Sequence, residues 1–258
     1  MIVDTHIHLD DARYDNDFED VIKRAYENGV ERFVIPGADR QTLLKAINIA
    51  ENHANIYFSV GIHPYDLEGF NEDDFKKYLT HPKCVAVGEC GMDYYRLDGT
   101  PEENEKEKRL QEEIFRKQIR LAKEYNKPLI VHIRDASHDA KMILLDEKAG
   151  SVGGVLHCYN ADEELLSLSK ENFYFGIGGV VTFKNAKKLL HVLPKIPLEK
   201  LVVETDGPYL TPTPHRGERN EPAYTRFVVE RIAELLQMQT KDIEEITTRN
   251  SLKLFDIS

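Results

Sequence analysis

The sequence predicts an α/β protein built as a closed (β/α)8 TIM barrel in a single domain, residues 1–258. Three observations carry that expectation. Eight apolar runs alternate with helical stretches along the chain, the pattern of a parallel sheet covered by helices. The length of 258 residues matches the roughly 250 that one such barrel needs. The first run ends in H-I-H-L-D, where a doubly wound open sheet would place a glycine-rich phosphate turn.

The elements follow in order. Ile2 and Val3 open a buried strand, and His6 and His8 stand two positions apart, so both imidazoles leave one face of its C-terminal end. Residues 15–28 read as a helix through Phe18, Val21, Ile22 and Ala25, stopped by Gly29. ERFVIPG is the second strand; the helix over 40–52 carries Leu43, Leu44, Ile47 and Ala50 on one face. IYFSVGIHP, a short helix over 73–79 and CVAVGECGMD come next. The long helix over 102–125 buries a stripe of Leu110, Ile114, Ile119, Leu121 and Ala122, and its interleaved charges are a solvated face. Strands PLIVHIRD, GGVLHCY, FYFGIGG and LVVETDGPYL are separated by helices around 140–145, 162–169 and 185–193. Pro128 starts the first of these four, where a missing N–H is tolerated. Helices over 222–237 and 241–255 finish the chain.

Composition narrows the class. A hydrophobic fraction of 41% supports a full core, and no apolar run reaches the roughly 18 residues of a membrane span. No signal-peptide pattern opens the chain, and Cys84, Cys90 and Cys158 lack the spacing of a disulfide framework, so a cytoplasmic setting is expected. The formal net charge of −11 argues against coating nucleic acid through a broad basic face. It leaves room for an enzyme whose bound cations offset the charge of a phosphate ester.

The strand ends carry the chemistry. They deliver His6 and His8, then His63, Glu89, His132, His157 and Asp206, and in a closed barrel these ends share one mouth. Four of the histidines with Glu89 and Asp206 can ligate two divalent cations about 3.5–4 Å apart. Singly, each has a plainer reading: a hydrogen-bonded histidine, a helix-cap partner for Glu89, a turn residue for Asp206 ahead of Gly207 and Pro208. Together, their placement at the same end of successive strands favours the metal site.

These residues, with DTHIHLD, GIHPYD, VGECGMDYY, PLIVHIRDA, LHCY, VTFKNA, VETDGPYLTP and RGERNEP, closely resemble the TatD family of metal-dependent hydrolases in the amidohydrolase superfamily. The resemblance implies a (β/α)8 barrel with a two-metal site and deoxyribonuclease activity, often 3′–5′ on single strands. It implies His6, His8 and Asp206 around one metal and His132 and His157 around the other, with Glu89 between them. Tyr159, Asn160 and Ala161 replace the family's usual phenylalanine, small polar residue and glycine, and Gly207 replaces its usual alanine. These changes lie at the rim and bear on substrate preference. Strand four ends in Glu89, where related enzymes that open cyclic amides carry a carbamylated lysine.

The expected chemistry is attack of a metal-activated water on a phosphodiester, with Asp206 taking the water's proton. Magnesium or manganese is expected, with zinc as the alternative. His63 is read either as a donor to a phosphate oxygen or as a structural residue before Pro64. Arg134 either grips phosphate or pairs with a nearby acid; Lys184 and Arg219 are weaker rim candidates. Glu204, two before Asp206, is read as the partner of a ligating histidine, and Cys90 and Cys158 as small residues turned towards the helices. Single-stranded DNA is the expected partner, with no membrane, and the chain is expected to be a monomer. Hydrolysis of another ester or amide, including D-aminoacyl-tRNA, and a metal-loaded nucleic-acid-binding scaffold are the competing readings.

Overall fold

A computed structural model describes residues 1–257. Eight strands, β1 (Ile2–Asp4), β2 (Val30–Ile35), β3 (Ile56–Val60), β4 (Cys84–Asp93), β5 (Leu129–Arg134), β6 (Gly154–Leu156), β7 (Phe173–Ile177) and β8 (Leu201–Val203), form one parallel sheet in chain order. Between and after them run α1 (Phe18–Glu27), α2 (Arg40–Asn52), α3 (Glu72–Leu79), α4 (Pro101–Glu124), α5 (Ser137–Asp146), α6 (Lys187–Val192), α7 (Thr225–Leu236) and α8 (Thr240–Phe255). This is the expected (β/α)8 barrel.

The barrel shuts between β8 and β1. Thr5 N–H and Oγ1 donate to Val203 O at 3.2 and 3.0 Å, Asp206 N–H donates to His6 O at 2.9 Å, and His8 N–H donates to Gly207 O at 2.9 Å. Buried Asp4 reinforces the seam by accepting from Thr205 N–H at 3.0 Å and Thr205 Oγ1 at 2.6 Å.

Strand alternation divides the core into two layers. Val34, Ile130, Val155, Tyr174 and Val202 form an inner layer, closed at the bottom by Leu254, Phe255 and Ile257. Their neighbours Phe33, Leu129, Leu156, Phe173, Phe175 and Leu201 join the larger layer under the helices. Two residues further along the inner face of β5 and β6 come His132 and His157, and beyond the end of β8 comes Glu204. The same parity that fills the barrel therefore aims these side chains into its mouth.

Local chemistry sets the helix starts. Thr100 caps α4 in a reciprocal box with Glu103, with Pro101 at the first turn, and Asp39 caps α2 by accepting from Gln41 and Thr42 N–H. Gly29 ends the α1 turn at φ +77°, where a side chain would be strained.

Several expectations need correction. Strand eight is three residues long, because the chain leaves the ladder at Glu204 to build the rim. The segment 162–169 is a 3-10 helix, Glu163–Glu171, and 185–193 shrinks to α6 before Pro194. Leu44 is 63% exposed and Leu110 39% exposed: each lies on the edge of its helix's apolar stripe, beyond the reach of the core. Among the described residues no helix is long and apolar enough to cross a membrane.

Candidate metal centre

Beyond Asp4 the first strand gives way to a turn, so His6 and His8 do not sit on ladder positions as expected. Only Ile7 between them bridges to Gly207. Their rings nevertheless meet edge to face, with centroids 5.2 Å apart. His6 stacks on His157 from across the mouth, 3.4 Å between centroids and 12° between planes. The seven strand-end residues named from the sequence do converge.

Distances sort the cluster into two kinds of contact. His6 Nε2 lies 3.4 Å from Glu89 Oε2 and 3.7 Å from Asp206 Oδ1, and His8 Nε2 lies 3.6 Å from the same Asp206 oxygen. His157 Nε2 is 3.7 Å from Glu89 Oε1 and 3.9 Å from Asp206 Oδ1. These separations are too long for hydrogen bonds. They suit donor atoms that each stand about 2.1 Å from a shared cation, which are then roughly 3–4 Å apart. By contrast, His132 Nε2 is 2.8 Å from Asp93 Oδ2 and His157 Nδ1 is 2.9 Å from Glu204 Oε1. The His132 contact is a hydrogen bond that orients the ring, and its Nδ1 in turn bonds Glu89 Oε1 at 3.0 Å; the His157 contact is a close charge pair without hydrogen-bond geometry.

The donor set fits a metal. His6 is fully buried and neither of its ring nitrogens has a hydrogen-bond partner, a costly state for a polar ring unless an ion takes the lone pair. Three groupings bring ligand atoms within 4.8 Å of one another: His6, His8 and Asp206; His6, Glu89 and His157; His63, Asp93 and His132. The first corresponds to one expected metal. His132 and His157, expected around the other, both face Glu89 Oε1 but fall into different groupings.

His63 has a distinct character. Its Nδ1 accepts from Tyr65 N–H at 3.1 Å, which leaves the ring proton on Nε2, 3.7 Å from Glu89 Oε1. Burial, opposed in part by Glu89, lowers its pKa to about 4, so the ring is a neutral donor.

The carboxylates stay ionised. Burial pushes Glu89 upward, but the charges of His6 and His157 with the His132 hydrogen bond carry it well below its ordinary value. For Asp206 burial is likewise overcome, first by His8 and then by the charge of His157. For Asp93 burial is outweighed by His132 and by Tyr95 N–H, which donates at 2.9 Å.

Asp93 is the residue that the sequence reading missed. Glu204 Oε1, read from the sequence as a partner of a ligating histidine, lies 2.9 Å from His157 Nδ1 without hydrogen-bond geometry and accepts from Cys158 N–H at 2.6 Å. Cys90 is buried as expected, but Cys158 has φ +43°, which breaks strand alternation and turns it towards the mouth cavity. Arg134 has no ion-pair partner among the described residues; its guanidinium lies 3.5 Å from the Tyr95 ring centroid. Arg219 is held by Asp17, with both contacts at 2.7 Å, and by Arg13 O, away from the cluster. Lys184 is exposed and does not line the cavity, whereas Lys187 and Lys188 do.

The model of the TatD related DNase family matches residues 3–256. The chain belongs to this family. It is 46% identical over 262 residues to the uncharacterized metal-dependent hydrolase YabD of Bacillus subtilis, covering all of both chains. It is 33% identical over 264 residues to the 3′-5′ ssDNA/RNA exonuclease TatD of Salmonella typhimurium, covering 98% of each. The crystal structure of the TatD homologue YJJV from Escherichia coli superposes with a TM-score of 0.88 at 28% identity, over 100% of this chain and 98% of that one. The protein is thus a metal-dependent hydrolase of the TatD family, with histidine and carboxylate groups able to bind metal at the barrel mouth.

Proposed function

We propose that the protein is a two-metal phosphodiesterase that degrades single-stranded DNA, acting as a monomer of one domain. The observation that carries this reading is the set of 3.4–3.9 Å separations between imidazole nitrogens and two carboxylates that have no lysine or arginine beside them among the described residues. His6, His8 and Asp206 would hold one cation; His132 through Nδ1 and His157 through Nε2 would hold the other, with Glu89 shared. Magnesium or manganese is the proposed ion, with zinc as the alternative. When bound, the pair would supply charge to the phosphoryl oxygens and make water acidic enough to attack near neutral pH.

The protein's own groups do the rest. Asp206 Oδ1 faces three imidazoles and is held ionised, so it can take the proton of the attacking water. His63 presents Nε2–H towards the same space and can donate to a phosphate oxygen. Asp93 and Glu204 keep their histidines in the tautomer that offers the free nitrogen to Glu89's side of the site. Arg134, at the rim, is free to pair with phosphate.

The name of the Salmonella typhimurium relative supports a nucleic-acid substrate. The test is digestion of end-labelled single-stranded DNA across a metal series, beside aminoacyl-tRNA and simple esters. Loss of cleavage in chelator and its return with magnesium or manganese is the expected result. Cleavage of aminoacyl esters alone would replace the nuclease reading with the ester one.

A further inference from the structure

The mouth is lopsided. A cavity of about 620 Å³ opens from His132, His157 and Asp206 and is lined entirely by residues 132–210, the β5 to β8 half of the barrel. That volume lies inside the range of about 300–1,000 Å³ typical of small-ligand sites. Its walls are mostly apolar, with Ile133, Tyr159, Ile177, Val180, Leu189 and Leu210 around the floor and sides. Asp206 is its one acidic lining residue, and Arg134, Lys187 and Lys188 are its lysine and arginine lining residues. None of the three has an ion-pair partner among the described residues, although the chain carries a net charge of −11. An acidic protein has thus kept unpaired cations along one edge of an apolar chamber that ends at its metal centre.

An apolar slot with a cationic border suits a ligand that is flat and aromatic in one part and anionic in the next. We propose that this cavity holds the base and sugar of one unpaired nucleotide, while Arg134, Lys187 and Lys188 meet the phosphate that follows it. The proposal rests on the phosphodiesterase reading, because it places the scissile phosphate at the cluster where the chamber ends. A base can enter only after leaving its pair, so the chamber selects single strands. Aromatic and aliphatic walls accept any base face, so they give little sequence preference. The hydroxyl of the wall residue Tyr159 donates to Asp162 O at 2.7 Å, which fixes the ring in the wall.

The experiment measures binding separately from cleavage. Phosphorothioate oligonucleotides carrying 2-aminopurine at the first, a middle or the last position are titrated into the manganese-loaded protein. We expect a fluorescence change at one end, none at any position of a duplex, and loss of that change with at least tenfold weaker binding in Val180→Trp. Lys187→Ala/Lys188→Ala, a surface change that spares the core, should weaken binding at least tenfold at low salt. It should also flatten the salt dependence by about 0.7 per lysine. Lys241→Ala/Lys253→Ala, with the same charge change on α8, should bind like the parent protein. Equal affinity and equal fluorescence in the parent and both cavity variants would overturn the proposal, even if the protein cuts DNA. Binding with this pattern in a protein that cuts no phosphodiester would instead remove the nuclease reading and leave the nucleotide chamber standing.

Discussion

Asp93 Oδ2 stands 2.8 Å from Nε2 of His132, and the opposite nitrogen of that ring stands 3.0 Å from Glu89 Oε1. The carboxylate therefore decides which imidazole nitrogen is free for a cation. Asp93→Ala should weaken metal binding by about 10–100-fold, with Asp93→Asn intermediate because its amide oxygen still accepts from Nε2–H. Titration calorimetry with manganese reads this directly; parent-like affinity in the alanine variant would show that the ring needs no such anchor.

Glu89 is almost fully buried and faces His6, His63, His132 and His157. Glu89→Gln keeps the volume and removes the charge, so it should abolish turnover while circular dichroism shows an intact barrel. Turnover within threefold of the parent would reject its role between two cations.

Acid and base should act on the metal-free and metal-loaded proteins differently. Burial opposes protonation of His157 and His8, but Glu204 and Glu89 push the first up to about 10 and Asp206 pushes the second up to about 9. A histidine raised above its unfolded value stabilises the fold fully below about pH 6.5, and that contribution is lost as pH rises through about 9–10. Lowered Glu89 and Asp206 work in the opposite sense: their contribution is present above about pH 4.5 and lost in acid. Burial lowers His63 to about 4 and lowers His6 as well, so both contribute stability that is present above about pH 6.5 and lost as pH falls. The chelated protein should therefore be most stable near pH 6.5. Metal must displace the histidine protons, so its affinity should rise roughly tenfold per pH unit for each proton released. Urea midpoints from pH 5 to 9, with chelator and with manganese, would show the two trends diverge. Parallel curves would contradict the linkage.

Gly176 sits against Glu204. A Cβ at this position would come within 2.3 Å of Glu204 Oε2 and displace the carboxylate from His157. Gly176→Ala should cost about 1–3 kcal/mol of stability and lower metal affinity together with it. A stability loss with unchanged metal affinity would separate packing from the site.

Asn220 braces the loop that carries Asp206. Its Nδ2 donates to Thr205 O at 2.9 Å and to Tyr209 O at 2.6 Å, and its backbone carbonyl accepts from Tyr14 Oη–H at 2.6 Å. Asn220→Ala leaves the buried Thr205 carbonyl and the part-buried Tyr209 carbonyl short of a donor, a loss of about 1–3 kcal/mol. It should lower kcat more than it raises KM, since Asp206 moves while the rim stays; an unchanged kcat would show that the loop holds itself.

Much of the site was legible because strand parity is simple. His132 and His157 follow the inner-face positions Ile130 and Val155 by two residues, and their convergence needed only that the sheet close. Asp93 was missed even though it lies four residues after Glu89. It shares Glu89's parity, but β4 runs on to Asp93, so taking one ligand-type residue per strand end stopped short of it. Cys158 was misplaced for another reason: one left-handed residue cancels alternation, and nothing in LHCY marks it. Over nine residues a 3-10 segment such as Glu163–Glu171 has nearly the apolar spacing of an α-helix. Which lysines border the cavity depends on the 3-10 turn at Gly179–Thr182, which moves the basic lining from Lys184 to Lys187 and Lys188.

The seam at Asp4 and Thr205 joins residues 201 positions apart. His6 and His8 leave the ribosome early, but the carboxylate opposite them, Asp206, arrives about two hundred residues later. Until then the two imidazoles are an exposed pair with little hold on any ion. Closing so long a stretch of chain carries an entropic cost that grows only slowly with length, so the late contacts can secure it. Cation capture is therefore among the last events of this protein's maturation, and a ribosome-stalled fragment ending before β8 would remain metal-poor.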